Sequence, residues 1–136
     1  RLQMAASQKA SERAQAVDDV KDASVIITNP THFAIALKYA PEVRDAPYIL
    51  AMGKGPMALK IIDEGQKHEK SVVRSPLLAR ALFYTGEIGQ DVSEQLFSAV
   101  ASILAYVLQI ERGLEADLPD PELPADLMYD EFGQRL

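Results

Sequence analysis

The hydrophobic and polar positions in the middle of the chain predict four short β-strands. Residues 23–28 form an apolar, β-branched run, which is typical of a strand buried on both faces. After a polar break at residues 29–32, apolar side chains alternate with small or polar ones over residues 33–39, with the period of two that a second strand requires. The break indicates a hairpin or a sharply bent pair. Residues 48–52 and 72–73 predict the third and fourth strands.

Helical patterns surround these strands. Pro56 stands where the first residue of a helix tolerates proline, and Ser75 followed by Pro76 predicts a second helix that ends at Gly86. Asp91 and Glu94 resemble a capping box ahead of a last helix. The apolar residues of that helix have the spacing of one buried stripe, which we interpret as core: Leu96, Phe97, Val100, Ile103, Leu104, Val107 and Leu108. The prediction is an α/β fold, a small mixed four-stranded sheet flanked by about four helices.

Composition divides the chain into three regions. Residues 1–22 are rich in helix formers with a thin apolar face, which predicts a long linker helix, and residues 23–112 form the α/β domain. Residues 113–136 hold seven acids, one base and three prolines, which predicts a disordered acidic tail. This tail accounts for the net charge of −6, because the charges of residues 1–112 balance. Tyr129 and Phe132 could form a short docking motif within it.

Composition also excludes several functions. The 136 residues suit one domain, and the absence of cysteine excludes disulfides, thiol nucleophiles and cysteine zinc sites. The sequence has no stripe of basic residues that could bind a phosphate backbone, so no nucleic-acid partner is predicted. Apolar runs fall far short of the roughly 20 residues of a membrane helix. Residues 53–55 lack the spacing of a phosphate-binding loop, and no metal or cofactor is predicted. Because the chain begins with Arg1, we expect it to be a piece of a longer protein.

The dipeptide Asn29-Pro30 has chemistry of its own. Ordinary asparagine damage begins when the next main-chain nitrogen attacks the side chain, but the nitrogen of proline has no hydrogen. The reverse attack stays open: the Asn29 carboxamide can attack its own main-chain carbonyl, close a succinimide and expel Pro30. His32 could orient the amide or accept a proton, and Thr31 offers a hydroxyl and a stiff side chain. The simpler interpretation is an ordinary turn whose main chain is never cut, because Asn-Pro is a common turn signal.

Several segments resemble one known family. Residues 25–39, Val-Ile-Ile-Thr-Asn-Pro-Thr-His-Phe-Ala-Ile-Ala-Leu-Lys-Tyr, look like the signature of the FlhB/YscU family of type III secretion export-gate proteins. Residues 46–55 and 76–84 resemble further family segments, so the resemblance covers about residues 1–112. Residues 86–101 look closer to the flagellar branch than to the virulence injectisome branch. Departures at residues 55–57 and 75–78 leave the turn unaffected and put partner details in doubt.

The resemblance implies a function. It implies single-turnover self-cleavage at Asn29-Pro30, supported by Thr31 and His32, with both pieces held together by the sheet. It implies a switch of export from rod and hook proteins to filament proteins. The implied partners are other export-gate membrane components, a hook- or needle-length-control protein and exported flagellar substrates. The implied location is the cytoplasmic face of the bacterial inner membrane, attached through an upstream membrane segment, with no cofactor and no metal.

Three alternatives stay beside this interpretation. The chain could be a virulence injectisome homologue of the same family, or an uncleaved module that only docks export substrates. A conventional hydrolase would use His32 or His68 with a nearby acid, but no nucleophile elbow or metal-ligand cluster supports it. His68 is better explained as a solvated helix end.

Overall fold

The computed structural model describes residues 16–30 and 32–136. Four strands form one sheet in the order β3-β2-β1-β4, where β1 is Val25–Asn29, β2 Phe33–Lys38, β3 Tyr48–Lys54 and β4 Val72–Arg74. The described residues also contain the helices α1 (Pro56–Lys67), α2 (Pro76–Thr85) and α3 (Phe97–Glu111), with short 3-10 turns at Val20–Asp22, Glu94–Leu96 and Ala125–Leu127. The predicted mixed four-stranded α/β fold is confirmed.

Strand β1 lies in the interior of the sheet. It pairs antiparallel with β2, so that Ile27 lies opposite Ile35, and parallel with β4, so that Ile27 also lies beside Val73. β2 pairs antiparallel with β3 on its other edge. Because both faces of the sheet are covered at β1, its side chains from Val25 to Thr28 are all buried. This explains why the sequence of β1 is a continuous apolar run rather than an alternating one.

Helices cover both faces of the sheet. One face contributes Val25, Ile27, Phe33, Ile35 and Leu37 to a core that includes residues of α2 and α3. The opposite face contributes Ile26, Ala34, Ala36 and Ala51 to a second core, with residues of α1 and of the segment 16–23. The first face therefore carries large side chains and the second mostly alanine. Helix α1 lies so close to the alanine face that a Cβ on its Gly65 would overlap the Ile26 side chain.

The two ends of the chain pack against this body where the structure describes them. Residues 16–19 are helical, and Ala16 and Val20 are buried in the second core. The rest of the predicted linker helix, residues 1–15, lies outside the described residues.

The structure differs from the predicted disordered tail. In the acidic segment, residues 113–136, Leu123 and Leu127 are buried in the first core, and Met128 and Tyr129 pack against it. These apolar residues enter or line the core, while the neighbouring acids Glu122 and Asp126 stay at the surface. The charge density that favours disorder is thus offset by hydrophobic burial.

Two predicted helix caps do not form. Ser75 stands at the N-cap of α2, but its side chain makes no capping hydrogen bond. The 3-10 turn ahead of α3 begins after Ser93, again with no side-chain cap, so the predicted capping box of Asp91 and Glu94 is wrong. Asp91 instead forms an ion pair with Arg44. The carboxylate of Asp91 thus pairs with a residue that is distant in the sequence instead of capping the helix.

Candidate functional site

The candidate site is the turn that joins β1 to β2. Asn29 ends β1 and lies opposite Phe33 in the register. The main-chain N–H of His32 donates to the carbonyl oxygen of Asn29 at 2.9 Å, which closes a four-residue β-turn. Asn29 is half-buried, and Pro30 and His32 are exposed. The structure thus brings three of the four predicted site residues together, and Thr31 lies outside the described residues.

Hydrogen bonds hold the main chain on both sides of the turn. The N–H of Ser75 donates to the carbonyl oxygen of Thr28 at 2.9 Å, and the N–H of Gly55 donates to that of His32 at 3.0 Å. The buried hydroxyl of Thr28 also reaches the carbonyl oxygen of Val73, at 3.5 Å. The residue before Asn29 and the residue after the bend are therefore fixed by β4, the start of α2 and the end of β3. The main chain is thus held by hydrogen bonds immediately before and immediately after the bend.

The carbonyl oxygen of Asn29 already accepts a main-chain hydrogen bond. The hydrogen bond from His32 ends on the oxygen that would gain negative charge if a nucleophile added to this carbonyl. A preorganised main-chain donor at that position stabilises the developing charge. Among the described residues, none hydrogen-bonds the carboxamide of Asn29, so that group is available to turn toward its own carbonyl.

The imidazole of His32 lies in solvent. Its side chain is 54% exposed, and its Nδ1 lies 3.8 Å from Oε2 of Glu131. That separation exceeds a direct hydrogen bond, and the attraction between two exposed groups of this kind is weak. The contact nevertheless brings the acidic segment to the candidate site, which the sequence did not predict.

Aromatic side chains support the turn from below. The ring of Phe33, which is 1% exposed, lies 5.1 Å from that of Phe83 and 5.7 Å from that of Tyr84. The ring of Tyr129 from the acidic segment lies 5.5 Å from that of Tyr84. Such aromatic contacts add to the area they bury. The first residue of β2 is therefore anchored in an aromatic cluster immediately after the bend.

The last residues of the chain form a small closed structure, residues 128–136, which we name the clasp. Tyr129 and Arg135 form an antiparallel bridge, and the N–H of Leu136 donates to the carbonyl oxygen of Met128 at 3.0 Å. Inside the clasp, Oδ1 of Asp130 accepts hydrogen bonds from the N–H groups of Phe132 and Gln134, both at 2.9 Å. An aspartate that caps its own turn in this way is a recurrent turn device.

The clasp rests on helix α2. Nε of Arg80 donates to the carbonyl oxygen of Tyr129 at 2.6 Å, and the hydroxyl of Tyr84 donates to that of Glu131 at 2.7 Å. Burial raises the pKa of the Tyr84 hydroxyl above its ordinary value, and the charges of Asp130 and Glu131 raise it further, against a smaller opposing effect of Arg80.

Sequence reasoning missed the clasp, although it noted Tyr129 and Phe132. Tyr129 does dock, onto its own chain, whereas Phe132 is 79% exposed. One signal was present: Gly133 follows Asp130 by three residues, as in a turn, and it has a φ of 84°.

A partly apolar groove of about 710 Å³ lies on another side of the molecule. Most of its lining residues come from α3 and from the segment between β2 and β3, and the others lie before β1, at the end of β2 and between α1 and β4. Charged side chains stand among them. The apolar lining includes Phe97, Ala101, Leu104, Leu108, Tyr39 and Pro47. Leu108 and Tyr39 are 48% and 40% exposed, so the stripe of α3 is core along most of its length and surface at one edge.

Other chemical candidates are not near the turn. Nε2 of His68 lies 3.0 Å from Oε1 of Glu64, one turn earlier on α1. This contact is exposed, which agrees with the interpretation of His68 as a solvated helix end. Within residues 16–30 and 32–136, no three acid, histidine or cysteine side chains cluster in a way that could bind a metal ion. None of the helices in this part of the chain has the length and apolar character needed to cross a lipid bilayer.

Comparison with known proteins gives consistent matches. The model of the FlhB HrpN YscU SpaS family matches residues 1–107. The flagellar biosynthetic protein FlhB of Salmonella typhimurium is 41% identical over 120 residues, which are 88% of this chain and 31% of that protein. FlhB of Aquifex aeolicus is 50% identical over 90 residues, 66% of this chain and 26% of that protein. The chain thus spans about a third or less of the length of these relatives.

Solved structures share the fold. The cytoplasmic domain of FlhB from Shewanella putrefaciens superposes with a TM-score of 0.80 at 34% identity, over 86% of this chain and 95% of that chain. A mutated EscU C-terminal domain, in which an asparagine is replaced by alanine, superposes with a TM-score of 0.66 at 30% identity, over 69% of this chain and 94% of that one. A further EscU C-terminal domain was solved with a proline replaced by alanine.

Proposed function

Because this chain belongs to the FlhB HrpN YscU SpaS family, we propose that it is a domain of a flagellar protein-export component that cuts its own main chain between Asn29 and Pro30. One observation carries the proposal: the 2.9 Å hydrogen bond from the His32 N–H to the carbonyl oxygen of Asn29, in a bend fixed on both sides. The reaction happens once per molecule, so the chain is a self-cleaving protein rather than a multiple-turnover enzyme.

The proposed reaction is an internal transfer of an acyl group. Nδ2 of Asn29 attacks the carbonyl carbon of the same residue and closes a five-membered succinimide ring. The bond from that carbon to the nitrogen of Pro30 breaks, and the proton lost by Nδ2 ends on the proline nitrogen. The products are a succinimide at the end of one piece and a free imino terminus at Pro30 on the other. No water is consumed in this step.

Geometry has to supply most of the acceleration, since a carboxamide nitrogen is a poor nucleophile. Holding two reacting groups in the productive pose can contribute roughly 7–11 kcal/mol. Here the reacting groups belong to one residue, and the hydrogen bonds to Thr28 and His32 limit how far its main chain can move. The N–H of His32 then stabilises the oxyanion. Thr31 and the His32 imidazole complete the turn, the latter as a solvent-exposed group.

We assign the cut a role as a switch in export. Pro30 and His32 are exposed, so new ends at this turn can rearrange on the surface while β1 stays paired with β2 and β4. The proposed change is from rod and hook proteins to filament proteins. The proposed partners are other export-gate membrane components, a hook- or needle-length-control protein and the exported flagellar proteins. The proposed location is the cytoplasmic face of the bacterial inner membrane, with residues 1–22 as the link to a membrane part.

Denaturing mass spectrometry of the purified chain tests the reaction. We expect two pieces, one beginning at Pro30 and one ending at Asn29 that is one water lighter than the free acid. Asn29→Ala is the control and should leave a single species of 14.9 kDa. A wild-type chain that stays intact through long incubation, while hydrogen exchange shows β1 and β2 paired, would contradict the proposal.

The groove beside α3 favours a second candidate function, the docking of an apolar segment of an exported protein without any cut. Its apolar lining is partly exposed, and a ligand would bury Leu108 and Tyr39. Binding of exported flagellar proteins to the uncleaved Asn29→Ala chain measures this function alone. Loss of that binding when Leu108→Asp is added to the Asn29→Ala chain, with the Asn29–Pro30 cut unaffected when Leu108→Asp is made alone, would separate docking from cleavage.

A further inference from the structure

The face of helix α2 next to the turn is covered by the chain's own clasp. Arg80 and Tyr84 both donate hydrogen bonds to main-chain oxygens of the clasp, at 2.6 and 2.7 Å. These contacts recognise main chain, and the ring of Tyr129 adds an aromatic contact with Tyr84. Hydrogen bonds to an extended main chain together with a place for one side chain are the usual means by which a protein surface binds a peptide.

The charges of the two surfaces are complementary. The α2 face presents the guanidinium of Arg80, and His32 stands at its edge, while the clasp brings Asp130 and Glu131. Complementary charges of this kind favour one class of partner over others more than they add affinity.

The clasp leaves two of its apolar side chains in solvent. Leu127, which precedes it, is buried in the core, but Phe132 and Leu136 within the clasp are 79% and 72% exposed. A segment tethered this close experiences an effective concentration on the order of millimolar, so weak contacts suffice to keep it docked. The same weak contacts allow it to be displaced.

We propose that the Arg80–Tyr84 face, with His32 at its edge, is a peptide-binding site that the clasp occupies within its own chain. The partner is a protein segment in which an aromatic residue directly precedes an aspartate-centred turn, as Tyr129 precedes Asp130. Its binding releases the clasp and uncovers the surface beside the Asn29–Pro30 bond. The inference goes beyond the proposed cut and does not require it.

Two glycine variants provide the test: one should open the clasp, and the other is its matched control. A Cβ at Gly133 would lie 2.8 Å from Cε1 of Tyr84, and the residue has a φ of 84°. Gly89 has a φ of 86°, but a Cβ there would meet nothing within 4 Å. Gly133→Ala and Gly89→Ala therefore introduce the same backbone strain, and only the first also pushes on Tyr84. Both variants are made in the uncleavable Asn29→Ala chain.

The probe is a fluorescent peptide with the sequence of residues 128–136, and its binding is measured by anisotropy. We expect the Gly133→Ala chain to bind it roughly tenfold more tightly than the Gly89→Ala chain, because a docked clasp competes with the peptide. Adding Tyr84→Phe to the Gly133→Ala chain should weaken binding about fivefold, through loss of one hydrogen bond. Hydrogen exchange should rise at residues 128–136 in Gly133→Ala alone.

Two results would overturn the inference. One is equal affinity of the peptide for the two glycine variants, which would mean that the clasp does not occupy the peptide's site. The other is no binding to the Gly133→Ala chain up to millimolar peptide, which would mean that the face is not a peptide site. Because all arms use a chain that is not cut, failure of the Asn29–Pro30 cleavage in wild type is a separate result.

Discussion

The main-chain N–H of His32 donates a hydrogen bond to the carbonyl oxygen of Asn29 across the turn, at 2.9 Å. The main chain and the side chain of His32 therefore face different groups. The main chain of His32 faces the carbonyl that the proposed reaction attacks, whereas its imidazole points into solvent toward Glu131. A substitution of the side chain therefore leaves the donor in place.

The first prediction follows for His32→Ala. We expect the cut to slow by about tenfold or less, well below the roughly 10²–10⁴-fold that a general base contributes. The rate should depend on pH in parallel with wild type. Cleavage rates of both chains over a pH series, followed by mass spectrometry, provide the measurement. A pH-dependent step that is present in wild type and absent from the variant would instead identify the imidazole as a base.

Pro30→Ala should change the course of the proposed reaction. The new N–H at position 30 can attack the Asn29 side chain, the route that proline closes. We expect slower cutting, and an uncut product in which Asn29 has become aspartate or isoaspartate. Peptide mapping with isoaspartate detection measures the ratio of the two outcomes. A cutting rate equal to wild type, with no isoaspartate, would show that proline has no part in directing the reaction.

The two pieces should remain one particle after the cut. Asn29 ends a strand that keeps its pairing with β2 and β4 and its fully buried Val25, Ile26 and Ile27. Co-elution in size-exclusion chromatography, followed by separation in denaturing electrophoresis, is the expected result. Ile27→Ala, which costs about 2–5 kcal/mol in a core, should promote dissociation of the cut form first. Dissociation of the wild-type pieces in native buffer would contradict this account of the sheet.

Gly65 gives a test of the packing of α1. Alanine in a helix interior is normally favoured over glycine by roughly 0.5–1 kcal/mol. Here its Cβ would overlap the Ile26 side chain, so we expect Gly65→Ala to lower the free energy of unfolding by about 1–3 kcal/mol, as overpacking does. Ile26→Val removes the overlapping methyl group. In that background the penalty of Gly65→Ala should shrink, and urea unfolding of the four uncleavable chains measures it. An unchanged penalty would refute the overlap as its cause.

The raised pKa of Tyr84 predicts that the stability of the folded chain depends on pH in the alkaline range. Burial raises the pKa of its hydroxyl above the ordinary value of about 10, and Asp130 and Glu131 reinforce the shift. In the folded chain the proton is held more tightly than in the unfolded chain. The stabilisation is therefore complete below pH 10 and is lost as pH rises through the folded pKa. Stability measured from pH 8 to 11 should fall more steeply in wild type than in Tyr84→Phe. Parallel curves would contradict this shift.

The fold was predictable where local pattern and tertiary structure agree. The apolar run ending at Thr28 and the alternation after Phe33 each describe a strand by themselves, and proline at positions 56 and 76 marks two helix starts. The site was predictable because the chemistry of Asn29 and Pro30 lies in adjacent residues. Cleavage of the main chain at this turn remains a prediction.

The clasp was not predictable by the same means. Tyr129 meets Arg80, 49 residues earlier in the chain, and Glu131 meets Tyr84, 47 residues earlier. No periodicity relates such distant positions. The acidic composition of the segment also favours disorder, and only the four apolar side chains that enter or line the core outweigh it. Asp91 failed as a helix cap for a similar reason, since Arg44 lies close to it only in the folded chain.

The alanines on one face of the sheet divide the molecule into parts that can change at different speeds during evolution. Ala34, Ala36 and Ala51 are buried in the second core against α1, so a bulkier residue at any of them would have to displace its neighbours. The opposite face is built from large side chains, which can exchange volume with one another when a neighbour changes. Sequence drift among descendants of this domain should therefore accumulate beneath α2 and α3, while the surface under α1 stays almost constant.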